Sequence, residues 1–533
     1  MKTGKIISYI AAVSIVFAAI QACSTYYFRS NYRDVNALLH ETGQMQPKLF
    51  LKAHLKNGEI CILRDSWEVD TLLNRVKGSG IRYNYNRIQT FEGSLSIPID
   101  SVAIFETNSK IINPEAGRIA ALSILAGVEV VIGIICLTNP KACFGSCPTF
   151  YMNDSGYSRY ADAEGFTNAI SPSLEYADID ALNNPAVSGG QFSIRMKNEA
   201  LETHCINELK LLACPRKPGE RVYQSPENDF YLSTGKYPVS SARGPEGDIT
   251  SLLKNEDLME RFSLADESNL SSKEEVYVNF NGIPGNQNPG LIISFRQTLM
   301  TTYLFYQSMG YMGDNVSDVF SRLESDQEMR NKFDASSREL GNIEVFMWNS
   351  QSRKWEFQDR ISETGPIAIN RQFIPLKTKN IEGEIKLKLV MNKGLWRIDY
   401  LALANIREKV KPMELKATGV LNKGKADPAA LALINDPDNY LISMPGSEYS
   451  FSFNLPDKNA DYELFLYSKG YYLEWMREHW MKDKDLLKLR QMVDHPKDYL
   501  KAEARAYKRY EQVMEQEFWN SRVDTKSFTY YEN

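Results

Sequence analysis

Apolar side chains recur at every second position through much of this chain, and that period of two commits it to β structure. Leu49, Leu51, Ala53 and Leu55 alternate, Asn57-Gly58 supplies a tight-turn signal, and Ile60 and Ile62 continue on the return strand. The same period appears at Tyr83 and Tyr85, at Leu95, Ile97 and Ile99, and at Phe192, Ile194 and Met196. It returns at Val276, Val278 and Phe280, at Ile343, Val345 and Met347, and at Ile385, Leu387 and Leu389. Successive side chains of a strand point to opposite faces, so each run has one face to bury and one to leave in water. Aromatic residues make up 11% of the 533 residues, with 29 Tyr and 24 Phe, which adds to the β preference.

The expected class is mainly β (α+β). A small N-terminal β-barrel or sandwich is expected over 48–110, and a β-rich domain over 143–240. A jelly-roll-like sandwich, with the pattern of many carbohydrate-binding modules, is expected over 273–405, including Trp355, Phe357 and Gly394 to Asp399. Residues 240–272 read as a polar, loop-rich insertion, and 406–533 as C-terminal strands and helices. Two helical stretches are expected: Leu299 to Met312, with a buried aromatic face, and Leu473 to Trp519, broken near His495-Pro496.

The N-terminus sets the compartment. Lys2 and Lys5 precede an apolar run from Ile6 to Ile20 of signal-peptide length. Ile20-Gln21-Ala22-Cys23 then resembles the lipobox of bacterial lipoproteins, with an aliphatic residue at −3 and a small one at −1. Residues 1–22 are therefore read as a signal peptide, Cys23 as the lipidated N-terminus, and 23–47 as a lipidated tether with a short helix. Ser24 and Thr25 follow, with no Asp and no acidic cluster. That points to an outer-membrane lipoprotein facing the periplasm; the inner membrane and the cell surface are the alternatives. The membrane, reached through the lipid, is the first expected partner. Without residues 1–22 the chain carries 60 basic and 67 acidic side chains, a net charge of −7. Such a surface has no electrostatic footprint for nucleic acid.

Ile119 to Leu137 is almost wholly apolar, with Gly127, Gly133 and the single charge Glu129. At about 19 residues it is borderline for a bilayer span, and a central carboxylate is costly in lipid. A helix over 118–138 packed inside the protein is expected, with an inner-membrane span as the alternative.

Candidate sites are few. Cys143 and Cys147 flank Gly145 in Cys143-Phe144-Gly145-Ser146-Cys147-Pro148-Thr149-Phe150-Tyr151, and a small disulfide loop is the expected state in an oxidising compartment. Free thiols and a metal or redox pair are the alternatives. Cys205 and Cys214 are candidates for a second disulfide across a hairpin, while Cys61 and Cys136 read as buried thiols. Glu175, Asp178 and Asp180 could ligate calcium, although such a trio more often opens a helix. Glu199, Glu202 and His204 invite an acid–base reading, against which a solvated face is the plainer one. Tyr471, Tyr472, Trp475 and Trp480 could form an aromatic platform for a sugar or a partner; the helical spacing of Tyr471, Tyr472, Trp475 and His479 makes packing the default. No catalytic residue, metal or cofactor is expected.

Five stretches carry a resemblance: Cys143 to Tyr151, Asn198 to His204, Arg296 to Leu299, Glu363 to Pro366 and Gly470 to Arg477. Together, across nearly all of the mature chain, they resemble an uncharacterised family of bacterial cell-envelope lipoproteins. The resemblance implies an envelope lipoprotein and brings no functional residues with it. The function expected from the sequence is non-enzymatic: a structural or partner-binding envelope component. A glycan-binding lipoprotein using the jelly-roll, and a hydrolase assembled from distant residues, are the alternatives.

Mass spectrometry of the mature N-terminus should find Cys23 acylated, and Cys23→Ser should accumulate an uncleaved, unacylated precursor. An intact Met1 in the wild-type protein would reject the lipid anchor.

Overall fold

The computed structural model describes residues 24–32, 51–55, 60–63, 67–70, 72–83, 89–113, 148–152, 161–183, 185, 187–199, 202–285, 287–316, 319–320, 327–328, 331–332, 339–362, 365–377, 383–443, 447–474, 480 and 483–520. Cys23, the Ile119–Leu137 segment, Cys143, Cys147 and Trp475 lie outside the described residues. The protein is mostly β, with several sheets and few helices, as the alternation requires. Among the described residues no helix is long and apolar enough to cross a membrane.

Sheet I is antiparallel and seven-stranded, and holds every strand from 24 to 113. Its core joins Leu51, Ala53, Leu63, Val76, Leu95, Ile97 and Phe105, so strands from both ends of the pairing order bury a common centre. A single 3-10 turn, Ile99–Ser101, swings the chain from Gln89–Pro98 into Val102–Asn113. The sheet is thereby entered again at its other side, where Val102–Asn113 pairs with Ser24–Tyr32 and Leu51–Leu55. It also takes in the expected tether: Ser24–Tyr32 is a strand paired along its whole length, from Ser24 opposite Asn113 to Tyr32 opposite Phe105.

Residues beyond 148 build four further sheets, and the chain does not fill them in succession. Sheet II contains Glu202–Arg216 and Asp461–Glu474, with Tyr176–Leu182, Met413–Lys416 and Leu441–Ser443 beside them. Sheet III runs from Gly419–Asn422 through Glu448–Asn454 and Gln191–Lys197 to Thr149–Tyr151 and Ala163–Glu164. Sheet IV is centred on Pro289–Gln297 and Trp396–Val410. Sheet V is centred on Lys273–Ile283, Gly383–Asn392 and Ile343–Asn349, with Lys354–Ile361 at its edge. The strands between 220 and 410 thus belong to IV and V, and those on either side return to II and III. The inward rows of all four sheets, among them Ile194, Leu211, Val278, Ile293, Leu387 and Leu401, share one buried core. The far face of sheet II also packs on sheet IV through Leu212, Phe465, Val222 and Phe230.

Three local expectations change. Cys205 and Cys214 both lie on the Glu202–Arg216 strand, so no hairpin brings them together. At about 3.3 Å per residue they are roughly 30 Å apart, far beyond disulfide reach. Tyr471 and Tyr472 end the Asp461–Glu474 strand rather than opening a helix, so they face opposite sides of sheet II. The C-terminal helices are Leu486–Asp494 and Pro496–Asn520, separated at His495 as the Pro demands. Asp485 caps the first: its carboxylate accepts from the backbone N–H groups of Leu487 and Lys488 at 3.1 and 3.0 Å.

Leu401 is fully buried at the centre of sheet IV. Leu401→Ala should cost about 2–5 kcal/mol in urea denaturation, through lost transfer energy plus a residual cavity. A loss below about 1 kcal/mol would contradict that packing.

Candidate functional site

A cavity of about 670 Å³ lies where the strand ends of sheets II, III and IV meet the helices. The Met300–Met312 helix forms one wall. It is buried on nearly all sides, which its Tyr, Phe, Leu and Met content permits. Leu304, Phe305 and Met312 face the cavity, joined by Leu489 and Met492 from Leu486–Asp494 and by Leu500 from Pro496–Asn520. Aromatic contacts fix these helices to each other: Tyr303 meets Tyr507 at 5.2 Å between ring centres, and Tyr306 meets Trp480 at 5.0 Å. The backbone N–H of Asp485 donates to the Tyr311 carbonyl at 3.0 Å.

The other side of the cavity is polar, carrying Glu164, Thr167, Asn168, Gln297, Tyr472 and Glu474. Glu164 is buried, and one of its carboxylate oxygens accepts from the backbone N–H groups of Ile367 and Ala368 at 2.7 and 3.0 Å. Two donors on one oxygen hold the carboxylate in place and offset its lost hydration. Gly365, at a φ of +91°, passes so close that a Cβ there would sit 2.8 Å from the Glu164 carboxyl carbon and 2.7 Å from the Thr167 methyl. That backbone conformation and that spacing both call for glycine. Gln297 is tied to the same loop, its backbone N–H donating to the Gly365 carbonyl at 3.0 Å and its side-chain oxygen accepting from the Gly365 N–H at 3.3 Å. Arg296, also buried, is gripped by Glu260 at 2.5 and 2.7 Å and donates to the carbonyls of Gln297 and Pro366.

Behind this polar wall stand the other distinctive residues. Glu202 and Glu474 are directly opposite on paired strands, as are His204 and Tyr472, so all four share one face of sheet II. Glu202 and His204 are wholly buried and paired at 3.0 Å. The Tyr472 hydroxyl donates to the Thr167 carbonyl at 3.1 Å, and its backbone N–H to Ala169 at 2.8 Å. Glu199 accepts from the hydroxyls of Thr149 and Tyr151 at 3.0 and 2.6 Å, which fastens the end of the Cys143–Tyr151 stretch to Asn198–His204. Gln297, Gly365, Pro366, Tyr472 and Glu474 thus line the cavity, while Thr149, Tyr151, Glu199, Glu202 and His204 are buried behind it.

Several site expectations are corrected. Glu199, Glu202 and His204 do not form a solvated face; each is at most 3% exposed. Asp178 and Asp180 sit on the Tyr176–Leu182 strand rather than at a helix start. Among the described residues no three His, Cys, Asp or Glu side chains gather closely enough to hold a metal ion. Tyr471, Tyr472 and Trp480 are 6%, 6% and 1% exposed, so they build the core and offer no open platform. Sequence reasoning missed Glu164, Gln297 as a cavity residue, and the pairing of Glu202 with Glu474. A faint signal existed in Glu202 and His204, ionisable groups two apart just before the alternating Leu209, Leu211 and Ala213.

Burial pushes the Asp178 carboxyl up to about 6, although part of its surface remains accessible. Burial first, and then the neighbouring carboxylates of Asp178 and Glu164, hold Asp180 well above the usual carboxylate range. The folded protein retains these protons where the unfolded chain, near 3.8, releases them. The Asp178 contribution to stability is thus fully present below about 3.8 and is lost as pH rises through about 6. Urea denaturation across that window should show wild-type stability falling, and Asp178→Asn should flatten part of the slope. An unchanged slope in the variant would contradict the assignment.

No protein-family model matches the chain, and no curated protein matches it. Among solved structures, the chain is similar at a TM-score of 0.17 and 7% identity to the crystal structure of BuGH86 in complex with neoagarooctaose, covering 43% of this chain and 34% of that one. The chain thus spans about a third of that relative's length. A second, an exo-beta-1,3-galactanase from Phanerochaete chrysosporium with beta-1,3-galactotriose, is similar at a TM-score of 0.13 and 9% identity, covering 67% of this chain and 80% of that one. Neither score reaches the level of a shared fold.

Proposed function

We propose that this chain is a non-enzymatic envelope lipoprotein, held at the outer membrane by lipid on Cys23, whose body binds an amphiphilic ligand in the cavity. The observation that carries the reading is the division of the cavity walls: helices supply Leu304, Phe305, Met312, Leu489 and Met492, and the strand ends supply Glu164, Gln297 and Glu474. About 670 Å³ falls within the range of small-molecule sites, which are mostly apolar with a few placed polar groups. The carboxylates accept hydrogen bonds, so the head group they suit is a donor, a hydroxyl or an ammonium. The polar groups are positioned by fixed partners: Glu164 by two backbone donors, Gln297 by the Gly365 N–H, and the Tyr472 hydroxyl by the Thr167 carbonyl. That is the construction of a preformed binding site, which loses little freedom when occupied.

The apolar fluorophore N-phenyl-1-naphthylamine should bind the detergent-solubilised full chain with saturable, one-site enhancement. Thr302 lines the cavity from the Met300–Met312 helix. Thr302→Trp should fill it and weaken probe binding by about tenfold or more, with the unfolding midpoint unchanged. Equal probe binding by the variant would overturn the cavity as the site.

A further inference from the structure

The outward face of sheet V breaks the rule that its own strands obey. Its inward row, Val276, Val278, Ile385, Leu387, Ile343 and Val345, is fully buried. In an antiparallel sheet with one face on the core, the alternate positions should be polar. Among Glu275, Glu344, Lys386 and Lys388 they also carry Tyr277, Phe346, Trp348, Trp355 and Phe357, brought together by register: Tyr277 opposite Lys388, Phe346 opposite both Lys388 and Phe357, and Trp348 opposite Trp355. Ring centres lie 5.3 Å apart for Trp348 and Trp355, and 5.7 Å apart for both Phe346–Phe357 and Tyr277–Trp355. Tyr277 and Phe357 remain 41% and 46% exposed. Contiguous apolar surface of this kind marks an interaction site.

The charges inside the patch decide what fits it. The Lys388 ammonium lies 5.3 Å from the Phe346 ring centre and 5.6 Å from that of Trp355. It is paired with Glu275 at 2.8 Å, and Glu275 also accepts from the Tyr277 hydroxyl. Lys386 is likewise paired with Glu384 at 3.1 Å. A dry protein–protein contact keeps charge at its rim, because a charge sealed under the centre costs its hydration. Here an ion pair sits among the rings, so the occupant must bring its own hydroxyl groups to the charges while laying apolar area on the aromatics. A pyranose does both: one face presents C–H groups that stack on the electron-rich ring face, and its edge presents hydroxyls that donate and accept. Lys388 and Lys386 already have carboxylate partners, and Lys377, 5.7 Å from the Phe357 ring centre, donates to the Gln358 carbonyl, so no ligand charge is required.

We infer that this face is a binding surface for a neutral polysaccharide. It is separate from the cavity and stands or falls independently of the cavity reading. Native gel electrophoresis of the detergent-solubilised full chain, in gels containing a soluble β-glucan, galactan, xylan or mannan, tests it. At least one polysaccharide should retard the wild-type band. Trp355→Ala and, as a milder second variant, Tyr277→Ser should each weaken that retardation by about tenfold in apparent Kd while unfolding at the wild-type midpoint. Thr302→Trp should leave retardation unchanged, and Trp355→Ala should leave N-phenyl-1-naphthylamine binding unchanged. No retardation in any of the four gels, or equal retardation of wild type and both platform variants, would overturn the inference.

Discussion

One pairing holds the molecule together: Glu202–Arg216 against Asp461–Glu474, running from Glu202 opposite Glu474 to Arg216 opposite Asp461. Everything between, residues 217–460, is a loop closed by this ladder. Loop-closure entropy grows only slowly with length, so so long a closure is thermodynamically tolerable. What it demands is register, because a slip of one residue would turn every buried side chain outward. Gly470 helps to fix that register. A Cβ there would come within 2.3 Å of the Cys205 carbonyl and 3.0 Å of the Phe166 ring, so only glycine lets the strands and the Phe166 loop close up. The same ladder places His204 beside Tyr472 and so completes the polar wall of the cavity.

Buried charge is the second organising feature. Arg261 is 1% exposed in its side chain and meets both Glu274 and Glu246, at 2.6 and 2.8 Å; Arg296 meets Glu260; and Arg221, itself half-buried, meets the buried Glu463 at 2.7 Å. Each guanidinium is matched by a carboxylate in near-bidentate geometry, the arrangement that best offsets desolvation. Such pairs add little net stability over apolar packing, but losing one partner leaves a costly orphan. Arg221 with Glu463 joins segments 242 residues apart, while Arg261 and Arg296 tie down the nearer Glu246, Glu260 and Glu274.

The sequence made the strands legible because burial on one face forces a period of two. Ile343, Val345 and Met347 are buried as that period requires. The helix at Met300–Met312 and the break at His495-Pro496 were also readable, from aromatic content and from proline stereochemistry. Pairing over long distances was not. Nothing local in Tyr471-Tyr472 distinguishes a strand end from a helix start, and nothing in Cys205 and Cys214 says that the chain between them stays extended. Ser24–Tyr32 has no period of two, with Tyr26, Tyr27 and Phe28 in succession, and becomes a strand only through its partner at 102–113. The cavity was illegible for the same reason: its walls come from segments whose proximity is decided by the ladder, not by their own composition.

The nesting of one pair of sheets inside the other has a consequence for the order of events during synthesis. A chain emerges from its N-terminus, so Glu202–Arg216 arrives long before the strand it needs. Until then its hydrogen-bonding edge is open, an invitation to mispairing. The intervening sheets IV and V are complete once Val410 has emerged, and their ends are already close: Phe230 lies opposite Val410, and Ala213 opposite Met413. Folding of the inner unit therefore delivers the late strands to the early ones, and converts a search across some 240 residues into the docking of neighbours.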